Sequence, residues 1–581
     1  MKRISRNIFC AIAGAALLSA PACSPPACSP PSDEKIVIYQ IFTRLFGSDN
    51  EGVVPDGALS VNGVGKFEDF TPTALDSIRA MGITHVWYTG VIEHASIYSV
   101  DTVGGLQLNH PGVIKGKAGS PYAIKDYYDV NAYLATSVEN RMAEFEALVA
   151  RTHAARMKVI IDFVPNHVAR GYHSDVAPAL VEDLGAGDDN SVAFSPNNNF
   201  YYLPGETLSP QFSTAVDCES YLESPAKVTG NDVFSSTPSR DDWYETVKLN
   251  YGVDYLDSHK TYFDPIPDTW LKMRDILLFW AAKGVDGFRC DMAEMTPCEF
   301  WGWAIESVKS KYPDVIFIAE IYNPTAYATY IEEGGFDYLY DKVGLYDTLK
   351  AVVQGRASSS SISESRDYIA PVQSHMLNFL ENHDEQRIAW HEFAGSAEAG
   401  IPMMLVSTLS DNIPMMIYFG QELGEESPDA TGFSAADGRT TIFDFWTLPI
   451  YQAWRNGGKF DGAKLNAEQK ELRRQYVELL HLAQDPLFVD GTFVDLTALN
   501  KESSDRVYAF ARQGAQGAAV VISNFADESV TTTYQLPDEM KEMKAVETLF
   551  NNTDQSRVVV QGGAIELTLS AHQALVVELK L

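Results

Sequence analysis

Arg289 and Asp291 stand two positions apart in the stretch KGVDGFRCDMAEM, residues 283–295. The stretch reads as a helix end, a turn at Gly284 and then a buried strand. A period of two puts both side chains on one face of that strand. Buried strands rarely carry charge unless it is paired or used. A guanidinium beside a carboxylate favours the ionised form. An ionised, oriented Asp at a strand end can act as the nucleophile of a covalent sugar-transfer reaction. The same two residues are equally readable as a structural ion pair, so the rest of the chain has to decide.

Other polar strand ends tip the balance. Residues 159–167 end in DFVPNH, 315–322 in AEIY, and 376–384 run into ENHDEQR. They place His167, Glu320, His383, Asp384 and Arg387 beside the Arg289–Asp291 pair as site candidates. A lone carboxylate at a strand end is usually just solvated. Four ends carrying Asp, Glu, His or Arg make coincidence a poor account.

The elements that must position these groups are eight apolar runs, at 36–44, 84–90, 159–167, 287–294, 315–322, 336–341, 376–384 and 414–424. Amphipathic helix patterns lie between several of them, at 73–81, 141–157, 270–283 and 298–311. Alternating strand and helix predicts a parallel sheet, and eight such units predict an α/β (β/α)8 TIM barrel. Catalytic groups of such a barrel sit at the C-terminal ends of its strands. Residues 168–268 are too long for a structureless connection and read as an inserted subdomain after the third strand. From about residue 486 the pattern changes to short alternating runs at 506–512, 518–525, 530–536, 544–550 and 570–579. These predict a C-terminal antiparallel β-sandwich over 486–581, leaving 36–167 with 269–485 as the barrel.

Together and in this order, DFVPNH, GFRCD, AEIY and ENHDEQR resemble the four signature regions of the α-amylase family, glycoside hydrolase family 13. The resemblance implies Asp291 as nucleophile, Glu320 as general acid/base and Asp384 as the carboxylate that stabilises the transition state. It implies Arg289 as the group that keeps Asp291 ionised, and His167 and His383 as partners of sugar hydroxyls. Tyr122, in PYAIKDY, matches the aromatic that stacks under the sugar, and Arg387 joins the substrate-binding set. Arg289 should lower the pKa of Asp291, while Asp291 and Asp384 should raise that of Glu320.

The chain also departs from the family. Many α-amylases carry Lys-His where this sequence has Glu294 and Met295, which makes Glu294 either an acceptor-side contact or a solvated carboxylate. The segment 247–250, VKLN, resembles the M-P-K-L-N form of neopullulanases, cyclomaltodextrinases and oligo-1,6-glucosidases. Lys248 stands where calcium-dependent members have an Asp. Asn166 matches a calcium ligand, but no full oxygen set is in view; no metal ligand is assigned and no cofactor is expected to be required, with calcium left open. The N-terminal β-domain usual in neopullulanases has no room before residue 36.

Composition and termini set the remaining bounds. Over 581 residues the net charge is −34, which argues against nucleic acid and anionic membrane surfaces as partners. Residues 1–22 read as a signal peptide: Lys2, Arg3 and Arg6, then an apolar core too short to span a bilayer, then Ala20-Pro21-Ala22. Cys23 follows and resembles a lipobox cysteine, so the expectation is an exported envelope protein, lipid-anchored at Cys23 or soluble in the periplasm. Residues 23–35 then form a stiff Pro-Ser tether. Cys28, Cys218, Cys290 and Cys298 have no zinc spacing, and no disulfide can be assigned among them. The expected activity is retaining cleavage of α-1,4-glucosidic bonds in starch-derived glucans, with α-1,6 bonds, pullulan or cyclodextrins as further substrates. An α-glucan transglycosylase or isomerase is the first rival, and a non-catalytic glycan-binding protein the second. Oligomeric state is unknown.

Overall fold

The eight apolar runs form a closed parallel barrel in the computed structural model, which describes residues 34–97, 109–216, 218–430, 436–515, 517–553 and 557–581. Its strands are β1 (Val37–Phe42), β2 (His85–Thr89), β3 (Lys158–Phe163) and β4 (Gly287–Cys290), then β5 (Ile316–Ala319), β6 (Tyr338–Tyr340), β7 (Met376–Phe379) and β8 (Met415–Tyr418). Each strand pairs with its chain neighbours, and β1 closes onto β8. The register sets Arg289 of β4 between Asp162 of β3 and Ile318 of β5. Parallel strands covered on both faces read as continuous apolar runs, which is why the sequence displays them so plainly.

The ladders are shorter than the runs. Asp291, Glu320 and Asp384 all lie just past a strand end, on the loops of the C-terminal rim. Backbone bonds continue the pairing briefly: Asp291 N–H donates to Phe163 O at 2.9 Å, and Glu320 N–H to Cys290 O at 3.1 Å. Met292, next after Asp291, turns into the left-handed region at φ 42°, which breaks the strand there.

Helices pack the outside of the barrel. In Asp268–Ala282 the buried Trp270, Met273, Ile276, Leu277 and Trp280 follow the three-and-four spacing of one helix face. Trp280 donates its indole N–H to Tyr127 O at 2.8 Å, so its one polar atom is satisfied. Full burial of a side chain of this size contributes about 3 kcal/mol. Ahead of that helix, the described residues between 164 and 267 form short antiparallel pairs, such as His167–Ala169 with Thr246–Lys248 and Tyr202–Leu203 with Ala226–Lys227. The first of these sets His167 opposite Lys248.

The C-terminal segment is all antiparallel. A five-stranded sheet has the central strands Val507–Gln513, Ala518–Asn524 and Ala574–Lys580, and a three-stranded sheet holds Val530–Gln535, Ala564–Leu569 and Arg557–Gln561. Alternation decides both faces. Val520, Ile522 and Val577 meet Tyr534, Ile565 and Leu567 between the sheets, while Tyr508, Phe510 and Val521 join the barrel's own core. Cys218, Cys290 and Cys298 are free thiols. The stretch read as a signal peptide, nearly all of the expected tether, and Cys23 and Cys28 lie outside the described residues. Among the described residues no helix is long and apolar enough to cross a membrane.

Candidate active site

Arg289 is the hub of the rim. It is fully buried and projects from β4 among Trp87, Tyr122 and Tyr340, each ring centroid within 5.4–5.5 Å of the guanidinium carbon. Its Nη1 donates to Asp291 Oδ1 at 2.6 Å, and its Nε to the Tyr340 hydroxyl at 3.2 Å. Nη2 lies 2.7 Å from Glu320 Oε2 without a straight hydrogen bond, and the Met292 N–H donates to the same oxygen at 2.8 Å. One guanidinium therefore bridges the two carboxyls expected to attack and to protonate. The sequence parity placed only Asp291 on it.

Burial dominates the titration of this cluster. Desolvation raises Asp291 above the usual carboxylate value, and the Arg289 charge and hydrogen bond only reduce the rise. Arg289 does lower Asp291, as expected, but a larger desolvation penalty leaves the net shift upward. Glu320 is also raised, first by burial and then by Asp291 and Asp384, against Arg289 and the Tyr322 hydroxyl. Asp384 goes the other way. Burial pushes it up, but His383, Arg289 and Arg439 outweigh that and hold it below the usual range. Its side chain is also the most open of the three, 32% exposed against 8% for Asp291 and 4% for Glu320.

Both histidines adjoin Tyr122. His383 is fully buried, with Gln40 Nε2 at 2.8 Å from Nδ1 and Asp384 Oδ2 at 3.0 Å from Nε2. An amide donor on Nδ1 leaves the ring proton on Nε2, aimed at Asp384. Tyr122 stacks on His383 at 5.2 Å, and its hydroxyl bonds His383 Nε2 and donates to Asp162 at 3.3 Å. Burial pulls His167 down to about 4, so it is neutral near pH 7, with Nδ1 held by Asn166 at 3.1 Å. Gln40 escaped the sequence reading, although one amide inside the run VIYQIF was a usable signal. Trp243 gave none. It comes from the long β3–β4 connection, sits 5.2 Å from the His167 ring and holds φ 44°, a costly angle for a tryptophan.

Two candidates bond other partners. Arg387 is fully buried, and Nη1 donates to Glu381 at 2.8 Å and Phe419 O at 2.9 Å, while Nε donates to Thr440 at 2.8 Å. Its bonds anchor the loop after β7 instead of meeting the three carboxyls, which corrects the expectation of a substrate contact. Glu294 is half-buried, and its Oε1 accepts the Tyr322 N–H at 3.1 Å, tying the loop after β4 to the loop after β5.

The residues present do not fit a calcium at Asn166. The Lys248 ammonium donates to Asn166 Oδ1 and to Met295 O, and lies 2.7 Å from Asp232. A cation already occupies the position, and the oxygens around it are fewer than the six to eight that calcium takes. Glu93, Asp126 and Asp129 also lie close enough to share a cation, with ligand atoms within 4.8 Å of one another. There Lys125 pairs with Glu93 at 2.9 Å, Arg141 pairs with Asp129, and Asp126 accepts the Tyr128 and Asp175 N–H groups at 2.7 and 2.8 Å, so each carboxylate already has a partner. A chelator should therefore leave the melting temperature unchanged, whereas Lys248→Ala should destabilise the fold by about 3 kcal/mol. Thermal unfolding with and without chelator checks both, and a chelator-induced drop would contradict the ammonium reading.

Residues 40–473 match the α-amylase catalytic domain, and residues 499–580 match the α-amylase C-terminal all-β domain. An α-1,4-glucan:maltose-1-phosphate maltosyltransferase of Cereibacter sphaeroides is 30% identical over 167 residues, 29% of this chain and 27% of that protein. The match thus spans about a quarter of that relative's length. α-Amylase 3 of Dictyoglomus thermophilum is 24% identical over 476 residues, 77% of this chain and 76% of the relative. In fold the chain is similar to a maltogenic α-amylase of Thermotoga neapolitana, with a TM-score of 0.59 at 20% identity, over 94% of this chain and 99% of that one.

Proposed function

The chain belongs to the α-amylase family, and on that premise we propose that it is a retaining glycosidase acting on α-1,4-glucosidic bonds of starch-derived glucans. The observation that carries this is the single guanidinium shared by Asp291 and Glu320. A retaining enzyme keeps its two carboxyls about 5–5.5 Å apart, whereas an inverting one leaves room for a water between them. A bridge through one arginine suits the short gap.

Asp291 attacks the anomeric carbon and forms a glycosyl ester, while Glu320 gives its proton to the departing oxygen. Water then attacks the ester, and Glu320 takes the proton back. Asp384, held low by His383, keeps a negative charge beside the developing oxocarbenium ion. Tyr122 and the two histidines supply an aromatic face and hydroxyl partners for the sugar. Transfer to a sugar hydroxyl on the same triad is the second reading, favoured by the maltosyltransferase among the relatives.

A product time course from maltoheptaose separates these, with Asp291→Ala as the blank. Shorter oligosaccharides and a matching rise in reducing ends are expected. Longer products without that rise would replace hydrolysis by transfer, and an unchanged substrate would refute the α-1,4 assignment. The N-terminus belongs to the same proposal: export, with lipid attachment at Cys23. Cys23→Ala should move the protein from the membrane fraction to the soluble one; an unchanged membrane fraction would end the lipoprotein reading.

A further inference from the structure

The two oxygens of Glu320 are not equivalent. Oε2 accepts the Met292 N–H at 2.8 Å and lies 2.7 Å from Arg289 Nη2. A proton on that oxygen would face both the Met292 donor and the Arg289 cation, so Oε2 is the poorer place for it. Among the described residues Oε1 has one hydrogen-bond partner, the Tyr322 hydroxyl, at 2.6 Å. Tyr322 follows β5 by three residues, and its ring stands at the partly open edge of the site while Glu320 is 3% exposed. Its backbone is pinned from the other side by the bond from its N–H to Glu294 Oε1 at 3.1 Å. The phenol is thus held against the carboxyl oxygen better placed to carry the catalytic proton.

We propose that Tyr322 is a positioning residue for the acid/base: its hydroxyl keeps Glu320 Oε1 company in the empty site and yields that oxygen to the glycosidic oxygen of bound substrate. This rests on the reading of Glu320 as the acid/base. In the first step Asp291 Oδ bonds to the anomeric carbon, the bond from that carbon to the glycosidic oxygen breaks, and the Oε1 proton goes to the leaving oxygen. Glu320 is then a carboxylate, and the Tyr322 O–H donates to Oε1. In the second step water bonds to the anomeric carbon, the ester to Asp291 breaks, and the water's proton returns to Oε1. The phenol thus favours the charged form between the two transfers, as a hydrogen bond to a charged oxygen is stronger than one to a neutral acid. The other charges facing Glu320 are Arg289 and Asp291 from the β4 side and Asp384 from the β7 side, with Glu294 behind Tyr322. None of them is altered by removing the hydroxyl.

The test is the pH dependence of kcat/KM for Tyr322→Phe, measured as maltoheptaose consumed, which counts hydrolysis and transfer alike. Losing a donor to the charged form should move the alkaline limb upward by on the order of one pH unit. KM should change little and the melting temperature should hold. Tyr322→Leu should give the same limb shift if the hydroxyl alone matters. An activity loss with an unmoved limb would make Tyr322 merely structural and overturn the proposal. A second readout needs no turnover: titration of the Glu320 carboxyl carbon by 13C NMR, assigned by its disappearance in Glu320→Gln. A higher midpoint in Tyr322→Phe supports the proposal and an equal one overturns it. A wild-type protein that consumes no maltoheptaose would instead refute the substrate assignment, and the NMR result would still decide on Tyr322.

Discussion

Replacing Asp291 by alanine is expected to lower kcat on maltoheptaose on the order of 10^4-fold or more, because no other group can form the glycosyl ester. The neighbours are already committed. Glu320 Oε2 is held by the Met292 N–H and Arg289, and Asp384 is held by His383. Neither can reach across to the vacated position without breaking those bonds. The variant should still fold. Arg289 keeps Glu320 at 2.7 Å and Asp162 at 3.8 Å, so its charge is not stranded when Asp291 goes. A melting temperature within a few degrees of the wild type checks that point. Azide then separates lost chemistry from lost structure. A small anion entering the space of the missing carboxylate attacks from the same face and gives a glycosyl azide of inverted configuration. Recovery of turnover with that product is the expected result. Turnover within about tenfold of the wild type and without azide would mean that Asp291 is not the nucleophile.

Much of this arrangement was legible from residues 283–295 onward, and the reasons are physical. Strands buried on both faces have to be apolar throughout, so the eight runs stood out, and Arg289 and Asp291 were conspicuous as charges inside one of them. Period-two parity then put both on one face. What parity cannot give is the third partner. Glu320 meets Arg289 because the β4–β5 register sets Arg289 beside Ile318, two residues before Glu320, and register belongs to the folded barrel. The net direction of the Asp291 shift was missed for a related reason, although the lowering by Arg289 was read correctly. The arginine is visible in the sequence, while the desolvation that outweighs it depends on packing by residues from several strands. Arg387 shows the opposite error. A charged residue at the end of a motif looked like a ligand contact, and Glu381, six positions earlier in the same loop, turned out to hold it. Trp243 and Tyr322 were unremarkable aromatics until the connection after β3 and the loop after β5 brought them against His167 and Glu320.

Glu320→Gln should separate substrates by how much proton donation they need. On maltoheptaose the loss should be about 10^2–10^4-fold, the usual range for removing a general acid. On a donor with a good leaving group, such as an aryl α-maltoside, the first step needs less protonation and the loss should be far smaller. Equal losses on both would argue that Glu320 holds structure and does not move protons. The same variant tests the electrostatics. In the wild type the alkaline limb of kcat/KM reports the proton leaving Glu320, and the acid limb reports the proton leaving Asp291. Burial raises both, so both limbs should lie above the ordinary carboxylate range, with apparent values that belong to the coupled pair. Activity is present while Glu320 holds its proton and is lost as pH rises through its raised value. Glutamine cannot titrate, so the alkaline limb should vanish from Glu320→Gln while the acid limb remains. The acid limb should stay near its wild-type position, since Glu320 is still protonated while Asp291 titrates and a neutral glutamine presents Asp291 with the same charge. An alkaline limb that survived the substitution would assign that titration to another group and leave Glu320 without its proton.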